Sequence, residues 1–139
     1  MTSVTDVMTR QVRTLSPTST VAEAAKAMSE LNVGVIPVCD GDKLLGMVTD
    51  RDIVVRAVAR GLDGNTPLSK VMSTDVRTAR ETDDLDTVLA DMASSQIRRL
   101  PILDGSDCLV GIISIGDIAV KGQDEEDVGQ SLAEISSPA

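Results

Sequence analysis

The 139-residue chain carries 22 acidic and 13 basic side chains, a net charge of −9, no histidine and no aromatic residue. This balance excludes general binding to nucleic acid or to an anionic membrane, both of which need a basic face, and it excludes imidazole-based acid–base chemistry. With 42% apolar residues a core of Val, Leu, Ile, Met and Ala is available, but a planar ligand ring must then lie between aliphatic side chains.

In chain order, "MTSVTDVMTR" has no apolar leader region and no run approaches the length of a membrane span, so a cytoplasmic protein is expected. A short helical turn is predicted around Thr5–Met8, then an extended piece over Val12–Leu15, stopped by Pro17. Val21, Ala24, Ala25, Met28 and Leu31, spaced at three and four, predict an amphipathic helix. Thr20 and Glu23 form its capping box. Val35–Cys39 and Lys43–Thr49 flank "DGD" and predict a hairpin. A helix follows over Asp50–Arg60. Segment 61–67, "GLDGNTP", is a linker whose Gly, Asn and Pro disfavour regular structure.

The pattern then recurs. "VMTRQVRT" (7–14) returns as "VMSTDVRT" (71–78), and "VGVIPVCDG" (33–41) as "IRRLPILDG" (97–105), both 64 residues on. One extra residue in the second hairpin makes the shift 65, so that Gly46 matches Gly111, Thr49 matches Ser114 and Asp52 matches Asp117. The second unit is expected to run as a helical turn at Ser69–Met72, an extended piece at Val76–Thr78, and a helix on Leu85, Val88, Leu89 and Met92 capped by Asp84. Strands at Arg99–Leu103 and Cys108–Ser114 and a helix over Ile115–Lys121 complete it. Repeats thus span 1–60 and 68–121, each β-α-β-β-α. One such unit exposes too much apolar surface alone, so two packed with pseudo-twofold symmetry are expected. The remainder, 122–139, is an acidic segment in which Val128, Leu132 and Ile135 mark a short helical stripe.

The chemistry-bearing residues are few. Cys39 and Cys108 form no CxxC and sit beside apolar runs, as buried small hydrophobes would. No nucleophile–base pair, metal-ligand cluster or P-loop is written, so no enzyme is expected. What stands out is Thr49-x-x-Asp52 and Ser114-x-x-Asp117, each opening a helix. A hydroxyl followed three residues later by a carboxylate is a capping box, favoured by the helix dipole. The same place is also an anion site, where a hydroxyl and outward amides can hold a phosphate and an Asp one turn in can accept both hydroxyls of a ribose. Arg51, Arg98 and Arg99 are the cations nearest in sequence to offset a phosphate. Repeat 1 is neutral, whereas 61–120 carries −5, which favours the Thr49/Asp52 site for a nucleotide.

The doubled "DVM"/"VM", the proline of "IPV"/"LPI" and "GMVTDRDI"/"GIISIGDI" resemble a pair of cystathionine-β-synthase (CBS) domains, a Bateman module. The resemblance covers nearly all of 4–121 and extends to stand-alone two-CBS proteins of the bacterial hypoxic response type. It implies an α/β (or α+β) module, a regulatory rather than catalytic role, and a cleft between the repeats for an adenosyl ligand such as AMP, ATP, NAD or S-adenosylmethionine. By that resemblance Thr49 and Ser114 meet phosphate and Asp52 and Asp117 the ribose. The base would lie near Val12, Thr14, Val35, Ile36, Val76, Thr78 and Leu100. The resemblance also implies a homodimer in which two modules meet through their helices, and the apolar "IVVRAVA" of 53–59 points the same way. A ligand-free interaction module, joined to itself or to another protein, is the alternative.

Overall fold

The computed structural model describes residues 2–116. Asp117, the remainder of the helix expected over 115–121 and the acidic segment 122–139 lie outside the described residues. The chain folds as α/β, in two β-α-β-β-α repeats. Among the described residues the compact units do not follow the repeat boundaries: 13–76 form one, and 2–12 join 77–116 in the other.

In the unit formed by 13–76, α1 spans Val21–Leu31 and buries Val21, Ala24, Ala27 and Met28. The expected stripe is thus corrected at two positions, since Ala25 is exposed and Leu31 is 47% exposed. Alanine marks a helix face weakly, and Leu31 is the last helical residue before Asn32 turns left-handed at φ 55°. The Thr20 hydroxyl accepts from the Glu23 amide at 3.1 Å. Two further amides at this helix start, Val21 and Ala22, donate to the linker carbonyls of Thr66 and Gly64 at 2.9 Å each. The 61–67 linker has no regular structure, yet it satisfies groups that a helix end leaves unpaired.

Strands β1 (Val35–Asp40) and β2 (Lys43–Thr49) pair antiparallel, with Val35 opposite Thr49 and Ile36 opposite Val48. The turn between them uses Gly41 at φ 61°. Leu15 pairs parallel with Val38 on the outer side of β1. On the outer side of β2, Met47 and Ser73 exchange backbone bonds of 2.9 and 2.8 Å. A Cβ on Gly46 would strike the Ser73 carbonyl, so only glycine admits this close crossing. The core gathers Val21, Ala24, Met28, Ile36, Val38 and Val48 with Leu68 and Val71.

The other unit repeats this plan. β3 (Ala79–Arg80) lies parallel to β4 (Arg99–Leu103), which pairs antiparallel with β5 (Leu109–Ser114). The extended piece expected at Val76–Thr78 is thus found slightly later, where pairing with Ile102 and Leu103 fixes it. Helix α3 (Leu85–Ser95) starts on Asp84, whose carboxylate accepts from the Thr87 amide at 2.8 Å, and buries Leu85, Val88, Leu89 and Met92 as its spacing predicts. Thr9 and Ile112 exchange the bonds that Ser73 and Met47 exchange, at 2.8 and 2.9 Å. Gly111 faces the Thr9 carbonyl as Gly46 faces that of Ser73. Each sheet is therefore completed by the opening segment of the opposite repeat.

The helix expected over Asp50–Arg60 takes a different form. One α-helical turn, α2 (Asp50–Asp52), leads into a π-helical run at Ile53–Val58. Its wider winding shows in the five-residue bond from the Ala59 amide to Val54 O, 2.9 Å. Beyond it Gly61, at φ 73°, closes the helix, with its own amide bonded to Val58 O and the Leu62 amide to Ala57 O. Ala57 is buried at 1%, while Val54, Val55 and Val58 are 58%, 47% and 67% exposed.

Candidate ligand site at the Thr49–Asp52 turn

β2 delivers Thr49 to the start of α2 with an extended backbone, φ −112° and ψ 162°. There the capping box closes both ways. Thr49 Oγ1 accepts from the Asp52 amide, and Asp52 Oδ2 accepts from the Thr49 amide, each at 3.0 Å. Capping uses one lone pair of the hydroxyl and leaves its proton as a donor, so the structural role does not preclude a second one.

Asp52 is 8% exposed and is the buried charged residue among those described. Such a group needs partners. It has the Thr49 amide, the Ser73 hydroxyl at 3.3 Å from both carboxylate oxygens, and the Arg56 guanidinium, with Nε 3.7 Å from Oδ1. Arg56 also donates to the carbonyl of Met72 at 3.3 Å. Ser73 is held in place by its backbone pairing with Met47. Ser73 and Arg56, which the sequence reading misses, are the side chains in contact with the Asp52 carboxylate. The repeated "VMT"/"VMS" is the signal for Ser73. The signal for Arg56 is its spacing of four from Asp52, the distance of an ion pair on one helix face.

Arg51 is exposed, and its amide is held by the Asp50 carboxylate at 2.8 Å. Asp50 in turn donates its own amide to Gly34 O at 2.9 Å. The turn's amides are thus engaged within the chain. Val35 stands opposite Thr49 across the sheet and is half-buried, as are Thr14 and Val76 of the same unit. Ile36 is 1% exposed and faces the core, which leaves Val35 as the accessible aliphatic residue at this end of β1.

The remaining expected residues belong to the other unit. Ser114 ends β5 opposite Arg99, half-buried, while Arg98 and Arg99 are exposed. Ile115 donates to Arg98 O at 3.1 Å, as Asp50 does to Gly34 O. Leu100 is fully buried, Val12 is half-buried and Thr78 is exposed. Asp117, the second expected ribose acceptor, lies outside the described residues. Cys39 is buried, and burial, with the charge of Asp42, raises its thiol above the ordinary range. Cys108 is only partly buried, against expectation, because it sits at the hairpin turn, its amide bonded to Asp104 at 3.0 Å. Among the described residues no three His, Cys, Asp or Glu side chains gather as a metal site, and no helix is long and apolar enough to cross a membrane.

Two sheets built alike, each with a hydroxyl at the end of its last strand, are the plan of a CBS-domain pair. The CBS domain family matches residues 4–58 and 68–122, and the chain belongs to that family. Among particular proteins, it is 48% identical over 136 residues to the CBS domain-containing protein YhcV of Bacillus subtilis, covering 98% of this chain and 96% of that one. It is also similar to the crystal structure of Hypoxic Response Protein I with two coordinated zinc ions, at 35% identity and a TM-score of 0.77 over 86% of this chain and 98% of that one. The structure of CBSX2 in complex with AMP shares the fold, with a TM-score of 0.74 over 99% of this chain and 100% of that one, at 21% identity.

Proposed function

We propose that the chain is a regulatory module that binds an adenosyl nucleotide at the Thr49–Asp52 turn. The observation that carries this reading is a buried carboxylate, Asp52, oriented by Ser73 and the capping box beside a hydroxyl with a proton to donate. Asp52 is the group to accept the ribose hydroxyls, and Thr49, with Arg51 beside it, is the group to meet a phosphate. Val35 offers the aliphatic surface on which an adenine can lie where no aromatic ring exists. That a protein of this fold is described in complex with AMP lends the reading support. AMP, ATP, NAD and S-adenosylmethionine are the ligands to try.

Calorimetry and thermal shift with these four compounds test it. Micromolar affinity is expected for at least one of them. Asp52→Asn keeps the shape of the side chain but not its charge, and hydrogen bonds to a charged acceptor are worth roughly 1.5–3 kcal/mol each. Affinity should therefore fall about tenfold or more. No heat and no shift with any of the four would favour the second reading, a ligand-free module that assembles with itself. The exposed Val54, Val55 and Val58 support that assembly, and a homodimer through this face is compatible with either reading.

A further inference from the structure

We infer that Arg56 is a displaceable gate over Asp52, and that it ties the state of the site to the π-helical run and its exposed apolar face. The inference rests on the nucleotide reading and specifies its regulation. The Asp52 side chain is only 11% exposed, so a ribose diol cannot reach both carboxylate oxygens until a covering group moves. The Thr49 amide is fixed at the junction of β2 and α2, and Ser73 is fixed by its backbone exchange with Met47. Arg56 differs from both. Its side chain is 45% exposed and its Nε stands 3.7 Å from Oδ1, longer than a hydrogen bond. A half-exposed ion pair of this length is worth little, so a hydroxyl donated to Oδ1 at ordinary hydrogen-bond length displaces it.

Arg56 is also a tether. It joins the run Ile53–Val58 to Asp52 on one side and to Met72 O on the other. The run has π-helical winding, which in proteins occurs mostly as single turns, frequently at functional sites. Three of its residues, Val54, Val55 and Val58, are exposed. Displacing Arg56 from Asp52 removes one of the two side-chain ties of this run and leaves the bond to Met72 O as the other. The Ala59–Val54 bond is then less braced, and the apolar face feels whether the carboxylate is occupied.

The test compares the full-length wild type with Arg56→Ala and Arg56→Lys, each checked for folding by circular dichroism. Without ligand, hydrogen exchange at the Ala59 amide should quicken several-fold in Arg56→Ala while the β1 and β2 amides stay unchanged; equal exchange in both proteins would overturn the tether. In AMP and ATP titrations, Arg56→Ala should bind about two- to fivefold more tightly, the gain from removing a weak competing pair, with Arg56→Lys between the two. Binding by the variant where the wild type is silent also supports the gate. Weaker or unchanged binding by Arg56→Ala refutes the gate but leaves the nucleotide reading standing. Failure of every protein to bind refutes that reading, and the gate with it. If Arg56→Ala fails to fold, Arg56→Lys carries the same comparison.

Discussion

Asp84 shows how much one side chain does at a helix start. Its carboxylate takes the backbone amide of Thr87, and this bond above all, with the Thr87 hydroxyl and the Asp86 amide, holds its carboxyl below the usual carboxylate range. A carboxyl depressed on folding adds stability at pH values above its unfolded pKa, about 3.9, and loses that contribution as pH falls through the lower folded value. Asp84→Asn keeps a capping oxygen without the charge. The difference in Tm between wild type and Asp84→Asn is expected to be present at pH 6–7 and to shrink steadily below about pH 4. Comparing the two proteins cancels the other carboxyl groups, and a gap that stays constant down to pH 2.5 would contradict the assignment. The same scale separates the two capping acids. Asp84 caps at the surface from the N-cap position, whereas Asp52, three residues after its N-cap Thr49, reaches back to the Thr49 amide and is buried and shared with Ser73 and Arg56.

Among the elements, the two hairpins are instructive because they differ by one residue. In the first, Gly41 supplies the left-handed turn position at φ 61°; in the second, that position passes to Asp107 at φ 66°, and Asp104 braces the loop by accepting from Ser106 and Cys108. Gly105 has no left-handed requirement and nothing within 4 Å of a Cβ. Gly105→Ala should stabilise the chain by about 0.4–1 kcal/mol, by restricting the unfolded state. Gly46→Ala is the opposite case. Its methyl would meet the Ser73 backbone, which cannot swing away as a side-chain tip can. A loss of about 1–3 kcal/mol is expected, with weaker exchange protection at Met47 and Ser73. Denaturant unfolding of both variants would check the pair, and a harmless Gly46→Ala would mean that the strand crossing is loose. Gly46 and its counterpart Gly111 mark where a chain segment from the opposite repeat lies against the sheet.

For the molecule as a whole, the exposed aliphatic residues of the π-helical run are the surface that calls for a partner. Helix α3 does not serve, because Val88 and Leu89 are 2% and 4% exposed and belong to the core of their own unit. Sedimentation equilibrium at micromolar concentration should give twice the chain mass of 14.6 kDa. Val58→Asp, at a position 67% exposed, should give a folded monomer with the stability of an ordinary surface change, within about 0.5 kcal/mol once assembly is allowed for. Val88→Asp should unfold regardless of assembly, since it places a charge in an apolar core. A wild type that sediments at the chain mass would overturn the dimer.

Sequence alone determined the repeat, both eleven-residue helices to within the last turn, both hairpins and the Thr49–Asp52 capping box. All of these are written locally, in apolar spacing, turn residues and caps, which act over three or four positions of the chain. Tertiary structure decided the rest. It chose Ala27 over Ala25 for the core, because a methyl carries too little apolar surface to dictate a face. It set the parallel strand at Ala79–Arg80, where the partner β4 lies. It wound Ile53–Val58 as a π-helix, a difference of one residue per bond that apolar spacing does not encode. Above all it brought Ser73 to Asp52 across 21 residues of chain, and with it completed each sheet from the opposite repeat. The repeat marks Ser73, but no local pattern pairs it with Asp52, because closure over that distance depends on where the intervening π-helical run and linker pack.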